Sequence, residues 1–135
     1  MSSPYGISKS LNIPYEEALA KTTEALKAEG FGVLTEIDVK ATLKKKLDQD
    51  FRRYIILGAC NPPLAHQALT NELDIGLLLP CNVIVYETDD GKSIVSAMDP
   101  AVVLGSVVKN PNLESVATQV TAKIHRVMDS LSSSK

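Results

Sequence analysis

Two cysteines and their neighbours are the residues of this chain whose types could support chemistry. Cys60 lies in Cys60-Asn61-Pro62 and Cys81 lies in Pro80-Cys81-Asn82. Cys60 directly precedes a predicted helix, and the unpaired N–H groups and dipole at a helix start stabilise a thiolate and lower its pKa. Such a thiolate could serve as a nucleophile, a redox group or a ligand for a soft metal. The alternative for both cysteines is a buried thiol that packs as a small apolar residue.

The spacing of the two cysteines matches no established motif. It is not C-x-x-C, so the pattern does not favour dithiol redox chemistry or zinc binding. The sulfurs could approach each other if their strands are neighbours, and a disulfide would need the Cα atoms within about 7 Å. The sequence also contains no phosphate-binding glycine loop, no nucleophile-elbow serine and no metal-binding box. The residues therefore predict no metal site and identify no cofactor.

Other polar side chains could assist the thiols. His66, about one turn into the helix after Cys60, could act as a base or a ligand, or it could be an exposed surface histidine. Glu36 and Asp38 alternate along a strand and should share one face, which suits acid–base work or equally a polar strand face and a helix cap. The candidate catalytic residues are Cys60 and His66, and the candidate ligand-binding residues are Cys60, Asn61, Cys81, Asn82 and Glu36.

A basic run lies in the first half of the chain. Lys44, Lys45 and Lys46 end a predicted short helix, and Arg52 and Arg53 follow soon after. The run is typical of a solvated helix end, and it could instead bind an anion or an acidic partner. The whole chain has a net charge of −2, a pI of about 5.6 and 4% aromatic residues. We expect no nucleic-acid partner, because binding nucleic acid needs a basic field and stacking surfaces.

The elements that position the cysteines follow from residue type. The β-branched and bulky residues from Tyr54 to Ala59 predict a strand buried on at least one face. Asn61 suits the N-cap and Pro62 the first position of the helix that follows. The apolar run from Ile75 to Tyr86 predicts one long strand, kinked at Pro80-Cys81 because proline cannot donate to a central ladder. The run is shorter than the roughly 20 residues that cross a membrane, so we expect no membrane association.

The rest of the chain alternates strands and helices. Strands are predicted at 5–11, 32–37 and 92–98, helices at 15–27, 39–47 and from Asn110 to Leu131, and an irregular segment or short helix at 101–108. Asp89-Asp90-Gly91 predicts a hairpin turn, and Ile94, together with Val95, is expected to point inward after it. The order β-α-β-α-β-α-β-β-α indicates an α+β fold of two layers, with a curved, mainly antiparallel sheet and helices on one face.

Length and composition set the outer limits. The 135 residues, 44% of them hydrophobic, suit a single domain over residues 1–135 with one core and a loose polar tail at 130–135. The N-terminus has no basic region followed by an apolar core, so no secretory signal is expected. Two cysteines without such a signal favour the reducing cytoplasm, where thiols stay free.

Three segments carry a resemblance to a known family: F-G-V-L-T-E-I-D, Y-I-I-L-G-A-C-N-P-P-L-A and I-G-L-L-L-P-C-N-V-I-V-Y-E. Over nearly its full length the chain resembles the bacterial and archaeal family called domain of unknown function 302. The resemblance implies a fold similar to the TATA-binding-protein-like class and a homodimer. It implies no activity and no catalytic residues. A likeness of fold does not imply DNA binding, because function resides in sites.

These observations favour a small cytoplasmic homodimeric binding module with a pocket near Cys60 and Cys81 for a small-molecule or anionic ligand. One alternative is a thiol-dependent enzyme or a soft-metal-binding protein that uses Cys60. Another is a protein–protein adaptor that acts through an apolar dimer surface or through Lys44–Lys46. The residues leave all three open, and with them the question of whether the protein is an enzyme.

Overall fold

A computed structural model describes residues 3–131, apart from the side chains of residues 106–108. The strands are β1 (Gly6–Leu11), β2 (Gly32–Asp38), β3 (Tyr54–Cys60), β4 (Cys81–Glu87) and β5 (Ser93–Met98). The helices are α1 (Tyr15–Ala28), α2 (Val39–Leu47), α3 (Pro62–Asn71), α4 (Pro100–Val102) and α5 (Glu114–Ser130). Short 3-10 helices span Leu73–Leu78 and Pro111–Leu113, and a π-helix spans Val103–Val108.

The five strands form one antiparallel sheet in the order β1-β5-β4-β3-β2. Because side chains alternate between the two faces of a strand, one face carries the fully buried Leu57, Val83 and Val95. Helices α1 and α5 pack on that face, and α5 adds Val120 and Ile124 to the same core. The structure thus confirms the predicted α+β fold with helices on one side of an antiparallel sheet.

Local capping is as the sequence predicts. The Asp38 side chain accepts a hydrogen bond from the Ala41 N–H at 2.9 Å and begins α2. Asn110 accepts from the N–H of Asn112 at 2.9 Å before the final helix. At the β4–β5 hairpin, Gly91 has a φ of +80°, a conformation that side chains with a Cβ rarely adopt. These short-range bonds fix where each element begins.

The prediction of one long strand from Ile75 to Tyr86 is wrong. The segment Leu73–Leu78 is a 3-10 helix, and β4 begins only at Cys81, after a cis Leu79–Pro80 peptide. An apolar run of this kind is ambiguous between strand and helix on pattern alone. Pro80 has no N–H for the ladder, so the sheet starts after it.

Two smaller predictions also need correction. Ile94 lies half-buried on the face away from the helices, while Val95 is the inward residue, because Val95 pairs with the inward Val85. The loose tail does not begin at residue 130: Ser130 ends α5 and Leu131 is 4% exposed, since Leu131 continues the apolar stripe of that helix. The rest of the predicted tail, 132–135, lies outside the described residues. Within 3–131, no helix has the length and apolar character needed to cross a membrane.

Candidate ligand cavity

A cavity lies where β3 ends and β4 begins. Its volume is about 40 Å³, counted as space open to the centre of a water molecule, which is several times the roughly 10–15 Å³ that one water needs. Its walls come from α3, the two helical segments at 73–78 and 103–108, the strand ends and α5. Most of the lining side chains are apolar, among them Leu64, Ala68, Ile75, Leu78, Val103 and Leu104.

Strand pairing brings the two cysteine-bearing segments to this cavity. Ala59 of β3 lies directly opposite Cys81 of β4, so Cys60 is one residue beyond that pair. Both Cys60 and Cys81 line the cavity, and both are free thiols. Cys81 is buried and Cys60 is half-buried. The structure therefore brings together the two residues on which the predicted pocket depended.

The predicted activation of Cys60 is contradicted by its surroundings. Burial raises the pKa of the Cys60 thiol instead of lowering it. The helix start supplies no free donors, because Pro62 and Pro63 lack an N–H and the N–H of Leu64 donates to the Asn61 side chain at 3.3 Å. A thiolate at position 60 would therefore lose hydration without gaining hydrogen bonds.

Cys81 is held in its neutral form more strongly still. Burial, and secondarily the charge that Cys60 would carry, raise the pKa of Cys81 to about 11. Both are expected to be protonated at neutral pH, so the site is suited to packing against an apolar group and poorly suited to nucleophilic attack.

Asn61 is the polar side chain that lines the cavity. Its oxygen caps α3 through Leu64, as predicted, and its Nδ2 donates to the backbone oxygen of Glu29 at 3.4 Å. Both ends of the amide are thus engaged by the protein. Asn61 ties α3 to the end of α1 and leaves the cavity wall effectively apolar.

The remaining candidate residues do not line this cavity. His66 is exposed, while Leu64, Ala65 and Ala68 are the α3 residues that line the cavity, so the structure gives no support to His66 as a base for Cys60. Glu36 is exposed on the edge strand β2. Asn82 is exposed and lies opposite Gly58, on the sheet face away from the helices.

Carboxylates of the chain form ion pairs with several residues of the basic run. Lys44 lies 3.1 Å from Asp48 and 3.4 Å from Asp50, and Arg52 lies 3.1 Å from Asp89. Arg53 pairs with Glu16 and Glu87 and lies over the Tyr15 ring. These contacts favour the solvated helix end over an anion site. Among the described residues, no three His, Cys, Asp or Glu side chains are grouped as a metal site would require.

Sequence reasoning missed two walls of the cavity. The apolar pattern predicts a strand from Ile75, where the structure has a 3-10 helix, and it predicts only an irregular segment or short helix at 101–108, which contains Val103 and Leu104. One signal was present in the first case: Gly76 interrupts the apolar run four residues before Pro80, and both residues are unfavourable inside a strand.

The family model described as "Domain of unknown function DUF302" matches residues 7–131. This chain belongs to the DUF302 family. It is similar to the crystal structure of the uncharacterized conserved protein DUF302 from Bacillus stearothermophilus, with 28% sequence identity and a TM-score of 0.84 over 94% of this chain and 98% of that chain. No protein of curated function matches it. The family match confirms the resemblance, and the similar crystal structure confirms the fold. Neither description names an activity.

Proposed function

We propose that the protein is a homodimeric binding module that takes a small apolar molecule, or the apolar end of a larger one, into the cavity beside Cys60 and Cys81. The observation that carries the proposal is the chemistry of the walls. The described lining residues are aliphatic or aromatic, apart from the two neutral thiols and Asn61, whose amide is engaged. Apolar cavities of this kind stay dry and accept apolar guests.

The size of the cavity limits its occupant. A volume of about 40 Å³ accommodates a group of a few heavy atoms, such as the end of an alkyl chain. A larger guest would have to displace part of the wall formed by Leu78, Val103 and Leu104. We therefore expect affinity to rise with alkyl length only until the cavity is filled, because each buried CH₂ contributes about 0.8 kcal/mol.

The thiol enzyme and the soft-metal protein are less well supported. Both need a thiolate at Cys60, and burial raises the pKa of that thiol. An anionic ligand is also disfavoured, because no lysine, arginine or histidine is among the lining residues within the described part of the chain. Two free cysteines accord with the reducing cytoplasm, which we propose as the compartment.

Methyl NMR tests the cavity directly. Xenon, which is small enough for a cavity of about 40 Å³ and binds apolar cavities, is expected to shift the methyl resonances of Leu64, Ile75 and Leu104 when it is dissolved under pressure in a solution of ¹³C-methyl-labelled protein. The variant Ala65→Leu, which adds volume at the wall, should abolish these shifts. Ala20→Leu makes the same change on the exposed surface of α1 and should leave them intact. Shifts scattered over the whole protein, or unchanged by Ala65→Leu, would refute the site.

A further inference from the structure

The face of the sheet opposite the helices carries no charge on four of its five strands. The odd-numbered residues of β1, β3, β4 and β5 face the helices, as the burial of Leu57, Val83 and Val95 shows. The even-numbered residues of these strands therefore face away, except Cys60 and Met98 at two strand ends, which line the cavity, and none of them is Asp, Glu, Lys or Arg. Thr35 and Ile37 of β2 extend this surface, because they pair with Gly58 and Ile56, and we call the whole of it the open face. A sheet face meant for water is normally polar and charged, and 22% of this chain is charged.

The open face also gathers the aromatic residues. Tyr54 and Tyr86 stack with ring centroids 5.3 Å apart and an interplanar angle of 7°, and Phe51 lies 6.2 Å from Tyr54. Tyr5, 67% exposed, lines a groove with Ile84 and Tyr86. The chain has four tyrosines and two phenylalanines, so most of its aromatic side chains lie on this surface and few lie in the core. Aromatic side chains are enriched at protein interfaces and at their energetic centres.

We infer that a second copy of this chain docks on the open face, so that the two sheets pack face to face about a two-fold axis. This inference rests on the homodimer proposed above. In a two-fold contact each patch packs against the same patch of the partner. A charged patch would therefore repel its copy, whereas the uncharged open face meets no such repulsion. Nucleic acid is a poor occupant, because the face offers no cation for phosphate. Sheets pack in this way about 10 Å apart, with side chains from both faces interdigitating.

The size of the open face suits such a dimer. Five strands about 4.8 Å apart and about six residues long, at about 3.3 Å per residue, cover roughly 500 Å² of flat area. The relief of the side chains, with Phe51 and Tyr5 at the margins, adds to this figure. A stable interface buries about 800 Å² per partner, which is the same order. The hydroxyls of Ser8 and Ser96, 2.8 Å apart, already bond to each other and can be covered at little cost.

The test is the mass of the full chain in solution with a charge placed on either surface. We expect wild type to sediment at twice the 14.5-kDa monomer mass, and Ile84→Glu to raise the dimer dissociation constant by about 100-fold or more, because two unpaired carboxylates would be buried. Leu77→Glu places the same charge on an 86%-exposed leucine of the 3-10 helix and should leave the dimer intact. Cross-saturation NMR on wild type should mark the methyl groups of Ile56 and Ile84, which decides the matter even if Ile84→Glu fails to fold.

The possible outcomes distinguish the location of the interface from the existence of the dimer. A dimer that survives Ile84→Glu, or cross-saturation confined to the helical side, overturns the open face as the interface and leaves the homodimer standing. A wild-type chain that remains monomeric at about 100 µM overturns both. Loss of the dimer in Leu77→Glu alone would assign the interface to the segment 73–78. None of these results bears on xenon binding in the cavity.

Discussion

Raising the pH from about 8 to about 11 should destabilise this protein through one buried thiol. Burial raises the pKa of Cys81 from its ordinary 9.0 to about 11, so the folded state keeps this proton at pH values where the unfolded chain has lost it. Since one pKa unit corresponds to about 1.4 kcal/mol, the difference amounts to about 3 kcal/mol. That is a large part of the roughly 5–15 kcal/mol by which domains are stable.

The sign of the effect follows from which state binds more protons. Below about pH 9 both states are protonated at Cys81 and the group has no effect on the pH dependence. Between about pH 9 and 11 the unfolded state releases the proton first, so stability falls with rising pH. The full loss is reached once the pH exceeds the folded pKa of about 11.

Urea unfolding across this range isolates Cys81 when two variants are compared. The chain has two cysteines, so Cys60→Ala leaves Cys81 as the sole thiol, and Cys60→Ala/Cys81→Ala removes both. The two variants share every lysine and tyrosine, so the difference between their pH profiles is due to Cys81. The first should lose up to about 3 kcal/mol more than the second by about pH 12; the burial contribution is retained, and Cys60→Ala removes the smaller contribution from the Cys60 charge.

Parallel profiles for the two variants would refute the reasoning. So would rapid alkylation of Cys81 in the folded protein at about pH 8, because a thiol that reacts there is neither buried nor held neutral. Either result would mean that the cavity is open to water, and the proposal of an apolar guest would lose its physical basis.

Further substitutions test the elements that hold the cavity in place, each measured by the urea midpoint at neutral pH. Gly58→Ala should cost about 1–3 kcal/mol, because its Cβ would clash with the Thr35 hydroxyl and lie 2.7 Å from the Pro80 ring. Gly32→Ala, with nothing within 4 Å of the new Cβ, should cost almost nothing, and equal costs would contradict this. Asn61→Ala should cost about 1 kcal/mol by removing the cap of α3, and no loss would show that the cap is dispensable. Leu57→Ala, at a fully buried position, should cost about 2–5 kcal/mol, and a smaller cost would mean that the core beneath the helices collapses to fill the space.

Features that depend on neighbours in sequence were predictable. Asn61 and Asp38 cap their helices because a side-chain oxygen reaches an N–H three residues on. Gly91 turns the hairpin, and the stripe from Val116 to Leu131 buries one side of α5. Features that depend on contacts between residues distant in sequence were not predictable. The segment 73–78 became a cavity wall, and His66 fell outside the lining, for reasons of packing that no local pattern contains.

The pKa of Cys60 shows the same division. The sequence places Cys60 before a helix start and also shows the two prolines that remove the N–H donors there. The burial that raises the pKa of Cys60 comes from α3, α5 and two helical segments that pack around it.

The amino-acid sequence by itself determined four of the five strands, the caps, the hairpin and the family, because propensity and hydrogen bonding act over a few residues. Only the tertiary structure decided that the two thiols share one apolar cavity and that Tyr5, Tyr54 and Tyr86 gather on an uncharged sheet face. Those arrangements depend on strand register and helix packing, which bring together residues far apart in the chain.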